Sequence, residues 1–237
     1  MKLIIIGATS GLGRGTAELF AKAGHQIGIT GRRGELLKEI QAHYPNRIFI
    51  ETMDVTTDDC ISKLASLIDS MQGVDLILYS SGIGKANETI DYEFEKQTNE
   101  VNISGFIRLI DYAYNYFIEK GHGHLAVISS VAGFRGLRGA PSYSASKGYQ
   151  RIYLESLAQT AHRCKHKIQF STIFPGFVDT ELLKGQKYPL TLSVEKAVKI
   201  IYKNLLKKKR IIYVNGRWRY IVFLMKRIPV CIWERML

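Results

Sequence analysis

The chain has 237 residues, 46% of them hydrophobic and 23% charged, with a mean hydropathy of -0.04. That is enough apolar material for one domain with a sizeable core, and it excludes a wholly disordered, collagen-like or polytopic membrane chain. The formal net charge is +12, but residues 203–237 hold ten Lys or Arg against one acid, so +9 of it belongs to the last 35 residues, and the body of the chain carries no nucleic-acid signature.

In chain order, short apolar runs at 2–6, 26–30, 47–51, 74–79, 124–129, 167–173 and 210–214 read as buried strands. Longer amphipathic stretches between them, near 11–24, 34–43, 57–72, 92–120, 142–163 and 193–208, read as helices. Parallel strands need a crossover of a dozen residues or more, so this alternation predicts a doubly wound α/β fold of Rossmann type: three layers around a parallel sheet of about seven strands. Residues 1–214 form that single domain, and 215–237 form a basic, apolar tail. In such sheets ligands gather at the carboxyl ends of the strands.

The first strand runs directly into Gly7-Ala8-Thr9-Ser10-Gly11-Leu12-Gly13. Glycines at a strand-to-helix turn let the backbone approach a pyrophosphate, while the helix N-terminus offers free N–H groups and the positive end of its dipole. A glycine-rich turn that binds nothing is the bland alternative, and its place between strand and helix argues against it. After the second strand, where a cofactor with a free 2′-hydroxyl calls for Asp or Glu, stand Gly31, Arg32 and Arg33. A guanidinium suits a 2′-phosphate, so Arg32 is assigned to it, Arg33 is left as a helix-start charge, and NADP is expected over NAD.

Farther on, Ser129-Ser130 ends a strand and Tyr143 and Lys147 stand four residues apart in Tyr143-Ser144-Ala145-Ser146-Lys147, on one helix face. An ammonium beside a phenol favours the phenolate, which suits the pair to move a proton. Ser130 is placed to donate to a carbonyl oxygen as charge develops on it. Each feature alone is commonplace. Glycine turn, strand-end serine, Tyr-x-x-x-Lys and then Pro175-Gly176-Phe177-Val178-Asp179-Thr180 occur together, in this order, in a sequence that resembles the classical short-chain dehydrogenase/reductase family from about residue 2 to 214.

The resemblance implies an oxidoreductase that moves hydride between nicotinamide C4 and a carbonyl or alcohol carbon. It implies a catalytic tetrad of Asn102, Ser130, Tyr143 and Lys147, with Asn102 holding a water that links Lys147 to solvent. Gly7, Ser10, Gly11, Leu12 and Gly13 would line the pyrophosphate, and Asp54 and Val55 would meet adenine. Tyr143, Lys147, Pro175, Gly176, Val178 and Thr180 would lie around the nicotinamide and its ribose. Where the family commonly has Asn-Asn-Ala-Gly, this chain has Tyr79-Ser80-Ser81-Gly82. Ser80 offers fewer hydrogen bonds than the usual asparagine, while Gly82 keeps the tight backbone. A homo-oligomer, dimer or tetramer, is also implied by the family alone.

Other clusters carry less. His162 and His166 lie one turn apart among Arg163, Lys165 and Lys167, which reads as a basic helix end, and no metal is assigned. His122 and His124 read as part of a turn. Cys60, Cys164 and Cys231 are too scattered for a disulfide framework, and the apolar run at 3–6 is too short for a signal peptide, so a cytoplasmic protein is expected. The segment that would cover the substrate is short and holds Leu182, Leu183, Tyr188 and Leu190, which suggests a lipophilic carbonyl substrate. The tail is too apolar to stay bare and is interrupted by Lys226, Arg227 and Pro229. It is expected against the domain, in a subunit interface, or peripherally on a membrane. The rival functions are an epimerase or dehydratase on the same Tyr-x-x-x-Lys motif, for which a larger substrate domain is wanting, and a catalytically silent NADP-binding sensor or membrane-associated binding protein.

Overall fold

The computed structural model describes residues 1–85, 89–183 and 188–236. Its elements are β1 (Lys2–Ile6), α1 (Gly11–Lys22), β2 (Gln26–Gly31), α2 (Gly34–His43), β3 (Ile48–Thr52), α3 (Cys60–Ser70), β4 (Leu76–Tyr79), α4 (Tyr92–Asn99), α5 (Gly105–Lys120), β5 (His122–Ile128), α6 (Pro141–Arg163), β6 (Lys167–Phe174), β7 (Val178–Asp179), β8 (Leu192–Ser193), α7 (Val194–Leu206), β9 (Ile211–Tyr213), α8 (Arg217–Met225) and α9 (Val230–Met236). Seven strands form one parallel sheet in the order β3-β2-β1-β4-β5-β6-β9. The expected fold class is the observed one.

Alternation along β1 sorts its side chains onto two faces. Leu3 and Ile5 join Phe20 of α1, Leu37 and Ile40 of α2, and Ile201 and Leu205 of α7. Ile4 and Ile6 join Leu64 of α3, Phe106 and Phe117 of α5, and Leu154 of α6. Because β1 pairs with both β2 and β4, the strand order reverses beside it, and a crevice opens at the carboxyl ends of β1 and β4.

Three local differences from the sequence reading have physical causes. The single helix expected over 92–120 is α4 and α5 joined by a π-helical turn, Glu100–Ser104, which turns the fully buried Asn102 inward; such bulges recur at functional sites and leave no hydrophobic-period signature. His122 and His124 lie in β5, not in a turn, because β5 pairs with β6 from Lys167 onward. His124 is buried with its Nε2 2.8 Å from Ser171 Oγ, and Ser171 donates in turn to the Lys209 carbonyl (2.6 Å). With the serine proton committed there, the imidazole donates from Nε2, and burial keeps it neutral at ordinary pH. The tail forms two helices, with Pro229 opening the second; Trp218, Val222 and Met225 of α8 pack against Val131 and Phe174. Among the described residues no helix is long and apolar enough to cross a membrane.

Candidate active site

The glycine turn is a cradle that only glycine can line. Gly7 has φ +88°, and a Cβ there would lie 2.7 Å from the Ser81 backbone. A Cβ on Gly13 would run into the Gly7 carbonyl oxygen, with Ser80 Oγ beside it. Ser10 is the N-cap of α1 but makes no side-chain capping bond among the described residues, and the first turn holds no acid. The first amides of α1 and its dipole therefore face the crevice without an internal anion, which fits a pyrophosphate. The Leu12 side chain packs with the core behind α1, which leaves its backbone as the part that can face the turn.

At the carboxyl ends of β2 and β3, Arg32, Thr52, Asp54 and Thr57 line a hollow. Arg32 is more than half exposed and lies 3.8 Å from Asp54 Oδ2. Asp54 Oδ1 accepts from the Thr56 amide (3.0 Å) and hydroxyl (2.9 Å). Arg33 stands at the start of α2 as expected and also reaches back: its Nη2 donates to Thr9 Oγ1 in the glycine turn (3.0 Å), and its Nη1 lies 3.7 Å from Glu181. Both guanidiniums thus border the crevice. Val55 is buried, with both its carbonyl and its side chain packed against Gly105.

The tetrad converges from four places in the chain. Asn102 Oδ1 accepts from the Ile83 amide (2.8 Å), and its Nδ2 donates to the Ile83 carbonyl (2.8 Å) and to Ser146 Oγ (3.0 Å). That clamp holds the strand end from Ser80 to Ile83 in place. Ser130 caps the 3-10 turn Val131–Phe134 by accepting from the Ala132 amide (3.1 Å), and its hydroxyl bears on the proton affinity of the Tyr143 phenol. Lys147 is buried on α6; its Nζ donates to the Ile128 carbonyl and to Gln150 Oε1, both at 3.0 Å. Gly82 lies next to Lys147 Nζ and Asn102 Oδ1.

Burial sets the proton affinities. It lowers the Lys147 ammonium to about 8 from an ordinary 10.5. Burial also raises the Tyr143 phenol, against the opposing effect of the Ser130 hydrogen bond. The expected lowering of the phenol by Lys147 is not met, because the ammonium is turned toward Ile128 and Gln150 and stands 5.9 Å from the ring centroid.

Residues 2–189 match the family model for short chain dehydrogenases. The chain belongs to the short-chain dehydrogenase/reductase family. An uncharacterized oxidoreductase of Mycobacterium tuberculosis is 34% identical over 190 residues, covering 76% of this chain and 74% of that one. Dehydrogenase/reductase SDR family member 7B of Bos taurus is 30% identical over 195 residues, 76% of this chain and 58% of that one. A short chain dehydrogenase from Burkholderia cenocepacia in complex with NADP has the same fold at a TM-score of 0.84 and 20% identity, covering 100% of this chain and 97% of that one. A family protein from Burkholderia phymatum in complex with NAD has it at 0.83 and 16% identity, covering 97% and 96%.

In this short-chain dehydrogenase/reductase the segment after β6 returns over the crevice. The Val131 amide donates to the Pro175 carbonyl (3.0 Å), Val178 is buried in β7, and the Thr180 methyl faces Gly11. Gly176 runs beneath Trp218 of α8, and Phe177 stacks on Tyr188 at 4.2 Å. Leu182 is exposed and Leu183 half-buried. Two site residues escape the sequence reading. Ser146 ties Asn102 to α6, and the fully buried Gln150 donates from Nε2 to the Asn102 carbonyl (2.9 Å) while accepting from Lys147. Gln150 thereby links Lys147 to the Asn102 backbone. Its only signal is a carboxamide three residues after Lys147, on the same face of α6.

Proposed function

We propose that this oxidoreductase uses NADPH in preference to NADH to reduce the carbonyl group of a lipophilic substrate. The observation that carries the reading is the convergence of Ser130, Tyr143 and buried Lys147 at the end of the crevice that begins in the glycine cradle. When bound, the reduced nicotinamide supplies the hydride that the carbonyl carbon receives. Ser130 donates to the substrate oxygen, where negative charge builds. Tyr143 gives that oxygen its phenolic proton; a phenol kept protonated by burial is in the form an acid requires at neutral pH. Lys147 holds its ammonium on Ile128 and Gln150, one helical turn from the phenolate left behind. Asn102 fixes the Ser80–Ile83 strand end against α6.

The preference for NADPH rests on Arg32 and Arg33 standing where a carboxylate would serve NAD. Gly7, Ser10, Gly11, Leu12, Gly13, Asp54, Val55, Ser80, Gly82, Pro175, Gly176, Val178 and Thr180 complete the cofactor contacts in this reading. The apolar covering of Phe177, Tyr188 and Leu182 supports a lipophilic substrate, and family likeness extends the proposal to a homo-oligomer, measured by light scattering. The deciding experiment follows NADPH and NADH oxidation with ketones of increasing chain length. The reading requires kcat/KM to favour NADPH and to climb with chain length. Arg32→Ala should cut the NADPH preference about tenfold, or ~1.4 kcal/mol. Cofactor that binds without being consumed by any carbonyl would overturn the enzyme assignment, and a flat chain-length series would overturn the lipophilic one.

A further inference from the structure

The tail helices have two faces. Inward, Trp218, Val222 and Met225 are buried; Trp233 Nε1 donates to the Gly136 carbonyl (2.9 Å), and Arg135 lies over the Trp233 ring while donating to the Met225 and Ile228 carbonyls (2.8 and 2.6 Å). The pair is therefore clamped to the domain rather than trailing from it. Outward, Tyr220, Phe223 and Leu224 of α8 are 71%, 54% and 61% exposed, and Val230, Ile232 and Met236 of α9 continue the apolar surface. Arg217, Arg219, Arg227 and Arg235 are exposed around them, with the Arg227 guanidinium 3.5 Å from the Phe223 ring centroid, while the exposed Lys226 lays its ammonium 4.4 Å from the Phe134 ring centroid of the domain.

We propose that this outer face docks on an anionic lipid bilayer, with Tyr220, Phe223 and Leu224 entering the boundary between headgroups and acyl chains and the basic side chains meeting lipid phosphates. An exposed helix face of large apolar residues with Arg and Lys beside them has the composition found in the headgroup layer. Charge complementarity selects the bilayer over a second copy of the chain. A two-fold interface would lay this patch on itself and bring two sets of basic side chains together, with only Glu234 in each tail to offset them. A bilayer supplies the opposite charge and the apolar phase at once.

The position of the face deepens the functional reading, on which this consequence rests. Trp218 lies edge-on to Phe177 at 5.6 Å, and Phe177 stacks on Tyr188, so the docking helix touches the segment that covers the crevice. A lipophilic substrate dissolved in the bilayer would meet the active site at its mouth.

The test is co-sedimentation of the full chain with phosphatidylcholine vesicles and with vesicles also containing phosphatidylglycerol, without cofactor or substrate. The expected result is partition onto the anionic vesicles alone, weakened by salt, and reduced about tenfold or more in Phe223→Ser/Leu224→Ser and in Lys226→Glu/Arg227→Glu. Unchanged thermal unfolding of both variants shows that the loss is not misfolding. No partition of the wild-type chain, or equal partition of wild type and variants, would overturn the proposal. So would conversion of a dimer to a monomer by Phe223→Ser/Leu224→Ser with vesicle binding intact, which would give the face to a second copy. Because partition is read without turnover, failure of the reductase assignment and failure of docking are separate results.

Discussion

The active site and the tail helices are both built from α-helical side chains against the same sheet, yet they are satisfied in opposite ways. Around Lys147 the described polar groups answer one another: Asn102, Ser146, Gln150 and the Ile83 backbone form a closed set of hydrogen bonds. On α8 only one side is answered, and the other presents Tyr220, Phe223 and Leu224 to solvent. A closed polar network is sensitive to every member, since removal of one leaves a buried partner unmatched. An unanswered apolar face contributes little to the fold and looks outward for its complement.

The largest expected effect on the closed side is Tyr143→Phe. It removes one oxygen, keeps the ring, and should lower kcat/KM for carbonyl reduction by about 10²- to 10⁴-fold, the usual worth of a positioned acid. NADPH affinity, followed by fluorescence titration, should stay within about threefold. Turnover close to wild type would take the proton-donor role from Tyr143 and reduce the contrast between the two regions to one of packing.

A second break is thermodynamic and lies below the site, at His124. Burial and the charge of Lys208 lower its imidazole to about 4 from an ordinary 6.5. Between those pH values the unfolded chain binds a proton that the folded chain refuses, so stability falls as pH drops from 6.5 toward 4 and is unaffected above that window. The gap at about 1.4 kcal/mol per pH unit is roughly 3 kcal/mol. His124→Gln should therefore lose less stability than wild type in urea melts taken at pH 7.5 and 4.5. Parallel losses would mean that His124 already carries its proton in the fold.

The fold and the main chemistry were legible because they are written in local patterns. Seven apolar runs separated by crossover lengths determine a parallel sheet, and Tyr143 with Lys147 declare a common helix face by their spacing. Asn102 was legible only through family likeness, and its π-helical turn through nothing in the pattern, since one extra residue in a turn leaves hydrophobicity almost unaltered. Arg33 stands at the helix start as expected, but its reach to Thr9 was not legible, because it depends on how two loops pack and not on its position after β2. Gln150 was missed for a similar reason: its partners Lys147 and Asn102 come from helices that only the tertiary fold brings together.

Gln150 offers a finer cut at the network. Lys147 is needed as an ammonium, so activity should fall as pH rises past the value near 8 that burial imposes on it. Gln150→Leu removes a neutral acceptor from that ammonium and should move the fall to lower pH, with kcat at pH 7 down about tenfold. Gln150→Glu places a carboxylate there, holds the charge on Lys147, and should move the fall to higher pH. If both variants lose activity while the pH profile stays fixed, Gln150 is a packing residue and the network ends at Lys147.

The smallest effect is expected on the open side and is informative because it is small. Leu224 is 61% exposed, so Leu224→Ser returns little apolar area to water and costs chiefly the lower helix propensity of serine. The change in unfolding free energy should stay within about 0.5 kcal/mol, while partition onto anionic vesicles drops. A loss above about 1.5 kcal/mol, read from urea melts of dilute protein without lipid, would show that this leucine is already covered in solution. The two regions would then differ only in the polarity of what they bury, not in whether their partners lie inside the molecule.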